Sequence, residues 1–225
     1  MHIIEQKVLK YIEKHPDIFS KLEKSQIINY IKNIKDPVLI PDIIREVYDE
    51  VGILPENVNI YLGFINLIGE KHLIQEKRII EVGGGKIPRL GKRISKKLTT
   101  GTITVYDPKI SHYESDTIKL KLVREKFNRR TDVSNTDLLI GLMTCEAAET
   151  IIESALEHNI DFIIALCEGG PHGDEEDFYQ DEEEWLSSLI RYTSREVSNK
   201  NMGKLKIKYM KEYNDPYPVI YNDRG

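Results

Sequence analysis

The 225-residue chain has only two cysteines, Cys145 and Cys167. Two thiols do not build a zinc site by themselves, and no metal is expected; they suit a reducing cytoplasm and leave a single disulfide open. No uncharged apolar run approaches the roughly eighteen residues of a membrane span. Glu5 comes early, and no apolar stretch ending in small residues follows, so no secretory signal is expected. There is no internal repeat and no low-complexity linker. The expectation is a soluble cytoplasmic protein without a membrane partner.

Lysine and arginine are also missing from one long stretch. Residues 131–184 contain sixteen acidic residues and no Lys or Arg. By contrast, residues 86–130 hold thirteen basic and four acidic residues, and residues 185–225 hold eight basic and four acidic. The net charge of -5 therefore hides strongly opposed blocks. Each block is either a solvated face or a field that selects ligands.

What is present is a helical start followed by alternation. Residues 1–76 read as a helical N-terminal region, with stripes such as Ile4, Val8, Tyr11, Ile12 and Ile27, Ile28, Ile31, Ile34. Pro41-Asp42 marks a third helix start, and a fourth helix is expected from near Pro55 to Ile68. Residues 77–225 alternate strand and helix, which predicts a mostly parallel sheet covered on both faces. Strands are expected over Arg78–Val82, Thr102–Asp107, Asp137–Met143 and Asp161–Cys167, with a further one within the partly alternating segment Ile118–Phe127, near Lys126-Phe127. Helices are expected over Pro88–Lys97, Ala147–His158 and Asp181–Val197. Leu205, Ile207 and Tyr209 alternate with Lys204, Lys206 and Lys208, as on an edge strand.

The most informative stretch is Arg78-Ile79-Ile80-Glu81-Val82-Gly83-Gly84-Gly85. It is a short buried strand with an acid near its end, running straight into glycines. The next strand, Thr102-Ile103-Thr104-Val105-Tyr106-Asp107, also ends in an acid. Strand, glycine turn, helix and strand with a terminal acid make a nucleoside-binding half-domain. Glycines let backbone approach a ligand, and a carboxylate can take both hydroxyls of a ribose. Read blandly, the glycines form an ordinary tight turn and Glu81 an ordinary ion pair.

Two other glycine-loop sites are excluded. A phosphate-cradling loop needs four residues before Gly-Lys and then Ser or Thr; here five separate Gly85 from Gly91, and Arg93 follows Lys92. A dinucleotide fingerprint needs a third glycine where Pro88 stands, which opposes close pyrophosphate approach. NAD is thereby disfavoured.

From Lys77 to Met210 the chain resembles the class I S-adenosylmethionine-dependent methyltransferases. Glu81-Val82-Gly83-Gly84-Gly85 is similar to their Glu-x-Gly-x-Gly motif, and Asp107 matches the acid after their second strand. The resemblance implies a Rossmann-like α/β fold and S-adenosylmethionine as cofactor. It implies that Gly83, Gly84 and Gly85 lie under the methionine part, with Glu81 alongside, and that Asp107 holds the ribose. Asp132 and Val133 look like the acid-plus-apolar pair that meets adenine, although as part of Thr131–Asn135 they also read as a turn. The Asn/Asp-Pro-Pro-Tyr/Phe motif of amine-methylating members is absent, since Met143-Thr144-Cys145-Glu146 stands there.

Catalytic groups are not specified by spacing. Cys145 and Glu146 follow one central strand; Cys167, Glu168 and the loop His172 follow the next. These are the acid, base and nucleophile candidates, and two small buried thiols are the bland alternative for the cysteines. The acidic block, with Asp174-Glu175-Glu176-Asp177 and Asp181-Glu182-Glu183-Glu184, would repel phosphate backbones and argues against nucleic acid as substrate. A neutral or cationic acceptor, small molecule or peptide, is expected. The basic segment from Lys86 to Lys97 is read as a solvated face or a contact for a second copy in a homodimer. An aminopropyl transferase and a non-catalytic cofactor-binding protein are the competing functions.

Overall fold

A computed structural model describes residues 3–16, 19–33, 47–48, 51, 60–71, 74–111, 118–144, 147–166, 182–210 and 217–225. The described residues up to Gly63 form one compact unit and those from Phe64 onward a second. In the first unit, α1 spans Ile3–Lys14 and α2 spans Lys21–Asn33. Val8, Ile12 and Ile27 are buried, as their helical spacing predicts. Ser20 and Glu23 start α2 as a reciprocal cap: the Glu23 N–H donates to Ser20 Oγ at 3.1 Å, and the Ser20 N–H donates to the Glu23 carboxylate. Most of the helix expected from Pro41 lies outside the described residues, but Val47 and Tyr48 are helical and buried. The start near Pro55 also lies outside them, and α3 is observed over Ile60–Lys71.

The second unit is built on a seven-stranded sheet. In chain order its elements are β1 (Arg78–Val82), α4 (Arg89–Ser95), β2 (Thr102–Tyr106), β3 (Leu120–Val123), β4 (Leu138–Leu142), α5 (Ala148–His158), β5 (Asp161–Ala165), α6 (Glu182–Asn199), β6 (Lys204–Met210) and β7 (Tyr217–Asp223). The strand order is β3-β2-β1-β4-β5-β7-β6. Strands β1 to β5 pair in parallel, and β7 runs antiparallel to both of its neighbours, β5 and β6. Strands β4 and β5 are near-continuous apolar runs because helices cover their faces. Helix α5 turns Ile151, Ile152, Ala155 and Leu156 inward and closes on Asn159, whose left-handed backbone ends the helix. Trp185, Leu189 and Val197 of α6 join the same core. No helix among the described residues is long and apolar enough to cross a membrane.

Two elements differ from the sequence expectation. Strand β3 ends at Val123, not near Lys126-Phe127. Arg124, Glu125 and Lys126 are exposed and leave the sheet, and Phe127 turns back alone into the core. Strand β7 carries no clear pattern because Pro218 interrupts it, yet it lies between β5 and β6.

Buried Asn222 ties this end of the sheet together. Its Oδ1 accepts the Phe162 N–H at 2.8 Å, and its Nδ2 donates to Asp161 Oδ1 at 2.8 Å and to the Met202 carbonyl at 3.1 Å. Asn222→Leu keeps the volume but strands the Phe162 N–H and the Met202 carbonyl. Urea denaturation is expected to show a loss of about 3 kcal/mol with an unchanged slope. A loss below about 0.5 kcal/mol would show the bonds to be replaceable by water.

Candidate functional site

The parallel order places β1 at the centre, with β4 on one side and β2 on the other. Ligands in such sheets bind beyond the carboxyl ends of the strands. There β1 runs into Gly83, whose φ is +81°. Its N–H donates to the Tyr106 carbonyl at 2.9 Å, which joins the turn to the end of β2. A side-chain carbon at Gly83 would sit 2.4 Å from Thr144 Cγ2, so only glycine lets β1 and the β4 end approach this closely.

Asp107 follows β2, and the structure brings it to the glycine turn. Its Oδ2 accepts the Gly85 N–H at 2.8 Å, and its Oδ1 accepts the Lys109 N–H at 2.6 Å. One carboxylate thus fixes both loops. An ionised carboxylate has about four acceptor positions, so it retains capacity for a ligand's hydroxyls.

A cavity of about 280 Å³ opens over these ends. Val82, Gly83, Met143, Thr144 and Ala147 line one part, and Tyr106, Asp107, Pro108 and Lys109 line the middle. Lys126 and Phe127 line the remainder. Tyr106 meets Phe127 edge-on, with ring centroids 5.8 Å apart at 77°. Burial, then the nearby Glu125 and Asp132 charges, push the Tyr106 phenol up. Met143 adopts a left-handed backbone, φ 58°, at the cavity wall, where its N–H donates to the Ala165 carbonyl at 2.8 Å. Such a conformation in a residue with a side chain is held only by its surroundings.

Glu81 lies beneath the loop and does not line the cavity. It is 3% exposed, and its carboxyl group is pushed up to about 8 by burial, against a bond from the Gly91 N–H and with the Asp107 charge adding to the rise. Its Oε2 would lie 2.8 Å from a side-chain carbon at Gly91, so that glycine makes room for the buried acid.

Asp132 and Val133 are elsewhere. Asp132 is exposed and accepts the Ser134 N–H at 3.0 Å, a bond that holds its carboxyl below the usual range. Val133 is buried in the core with Leu139, Ile152 and Phe162. Neither lines the cavity; Lys126 and Phe127 stand on this side of it. Cys145, Glu146, Cys167, Glu168 and His172 lie outside the described residues, as does the run Asp174–Asp181. Among cavity residues that sequence reasoning missed, Phe127 had one usable signal, a single aromatic within a charged run. Met143 and Thr144 had only their place after β4.

No family model matches the chain, and no curated protein matches it. Solved structures do. Precorrin-6y C5,15-methyltransferase from Geobacter metallireducens is 13% identical and aligns over 76% of this chain and 93% of its own, with a TM-score of 0.50. A SAM-dependent methyltransferase from Aquifex aeolicus is 11% identical over 71% of this chain and 88% of its own, TM-score 0.44. Fibrillarin from Aeropyrum pernix, solved with natively bound S-adenosyl-L-methionine, is 12% identical over 72% and 76%, TM-score 0.45. The chain has the Rossmann-like fold of the class I methyltransferases, as the seven-strand order and the Geobacter structure agree.

Proposed function

We propose that the chain is an S-adenosylmethionine-dependent methyltransferase, with its cofactor lying over the carboxyl ends of β4, β1 and β2. The observation that carries this reading is the bond between Asp107 and the Gly85 N–H beside a side-chain-free Gly83. A carboxylate so anchored can hold two ribose hydroxyls, and the cavity that Gly83 lines leaves room for a sulfonium. Gly83, Gly84, Gly85 and Asp107 would hold the cofactor, with Glu81 supporting the loop from below. Bound there, it supplies a methyl group already activated for attack. The protein's own work is to bind, to align the acceptor and to exclude water. The surplus of carboxylates in residues 131–184 favours a neutral or cationic acceptor, a small molecule or a peptide.

Calorimetry with S-adenosylmethionine, S-adenosylhomocysteine and NAD tests the reading. Both sulfur nucleosides are expected to bind and NAD to give no heat. Asp107→Ala is expected to weaken binding at least ~30-fold, about 2 kcal/mol. Equal binding of NAD, or no binding of either nucleoside, would refute it. Incubation with amine acceptors then separates methylated product from aminopropylated product, and tight binding without turnover marks a non-catalytic protein.

A further inference from the structure

We propose that the outward face of α6 carries an anion site, separate from the nucleoside cavity, that takes the phosphate of a small aromatic phosphate monoester. Ser188, Arg191, Tyr192 and Arg195 follow one another at steps of three, one and three residues within Glu182–Asn199, so one face of the helix presents all four. The core face is a different one, made by Trp185, Leu189, Thr193 and Val197, all buried. The four outward residues line a second cavity of about 310 Å³. None of them lines the cavity over β4, β1 and β2. That volume lies at the low end of the roughly 300–1,000 Å³ usual for small-molecule sites, which favours a small ligand over a polymer.

The four side chains supply two guanidinium groups and two hydroxyls, all of which donate hydrogen bonds. Arg191 and Arg195 lie four residues apart, where like charges on a helix repel. The nearby acids relieve only one of them. Glu196 accepts a bond from Arg195 Nε at 2.9 Å, which leaves that guanidinium its two terminal nitrogens. Glu153 of α5 is taken by Arg129, whose Nη2 lies 2.5 Å from its Oε2. These four are also the charges that act on Tyr192, Glu153 and Glu196 against Arg195 and Arg129. They cancel in pairs. Arg191 is the surplus cation and makes no ion pair with a described residue. An oxyanion between Arg191 and Arg195 would offset their repulsion and take paired N–H bonds, the fork geometry in which arginine suits phosphate. Ser188 Oγ, one turn before Arg191, adds a neutral donor. Tyr192 is 39% exposed, and the Arg195 guanidinium stands 5.8 Å from its ring centroid. A ring placed beside the phosphate position in this way suits a flat ester group.

The test titrates the full chain, by calorimetry in a phosphate-free buffer, with phenyl phosphate, inorganic phosphate and uncharged phenol. Phenyl phosphate is expected to bind with a Kd near or below about 1 mM, inorganic phosphate about threefold or more weaker, and phenol without measurable heat. Arg191→Met should weaken phenyl phosphate at least about tenfold. Arg191→Lys keeps the charge but not the fork and should cost about three- to fivefold. Lys200→Met removes a charge just past the same helix and should cost less than about twofold. S-adenosylhomocysteine affinity should be the same in all these proteins, so the outcome is independent of the nucleoside reading. No heat from phenyl phosphate at about 10 mM overturns the inference. So do equal losses from Arg191→Met and Lys200→Met, which would show only the diffuse field of a basic surface.

Discussion

Gly83→Ala is expected to abolish S-adenosylhomocysteine binding, more than ~100-fold, and to destabilise the fold by about 2–5 kcal/mol. Two costs add. At φ +81° an alanine pays about 1–2 kcal/mol for a left-handed backbone. Its Cβ would also lie 2.4 Å from Thr144 Cγ2. Thr144 has little room to retreat, because its own Oγ1 already approaches the space above Gly141, where Ile151 is packed. Overpacking of this kind costs about 1–3 kcal/mol. The cheapest relief is to move the turn, which separates Gly85 from Asp107 and dismantles the bond that defines the site. Thr144→Ser removes the clashing methyl but not the backbone penalty. The double variant Gly83→Ala, Thr144→Ser should therefore regain part of the stability, and a thermal melt of the four proteins reads this directly. Wild-type affinity in the single variant would show that neither the turn's conformation nor its contact with Thr144 matters.

What was legible in the sequence was local. An apolar strand that runs into three glycines, and a second strand that ends in Asp107, name their own places because each signal is complete within a few consecutive residues. The continuous apolar runs of β4 and β5 declared themselves buried on both faces. The far side of the cavity was not legible in the same way. Lys126 and Phe127 sit in the run Arg124–Arg130, where charge masks the one residue that turns inward. Asp132-Val133 offered the expected residue types, but a turn claims the acid and the core claims the valine. Met143 is a residue type that gives no warning of a left-handed backbone; its conformation is imposed by the ladder to Ala165 and the packing of Thr144. Strand β7 was hidden by Pro218, whose missing N–H is tolerated beside Tyr209 near the strand's start.

Glu81→Gln is expected to remove a pH dependence of stability that spans roughly pH 4.5 to 8. Burial raises the folded-state value of Glu81 to about 8 from an ordinary 4.5. Between these values the folded protein holds a proton that the unfolded chain has released, so stability falls as pH rises. The contribution is complete below about pH 4.5 and gone above about pH 8. At about 1.4 kcal/mol per unit, the natural protein loses on the order of 5 kcal/mol across that window through this one group. The side chain cannot escape by pairing. Asp107, the charged neighbour that acts on it, is also acidic, and Oε2 has no hydrogen-bond partner among the described residues. Glutamine keeps the shape and an acceptor for the Gly91 N–H but has nothing to ionise. Urea midpoints should therefore be close for the two proteins near pH 5, diverge up to about pH 8 and run parallel above it, with the glutamine variant the more stable. Parallel curves over the whole range would mean that Glu81 is ionised in the folded protein at neutral pH, and that the loop above it is supported by a charge after all.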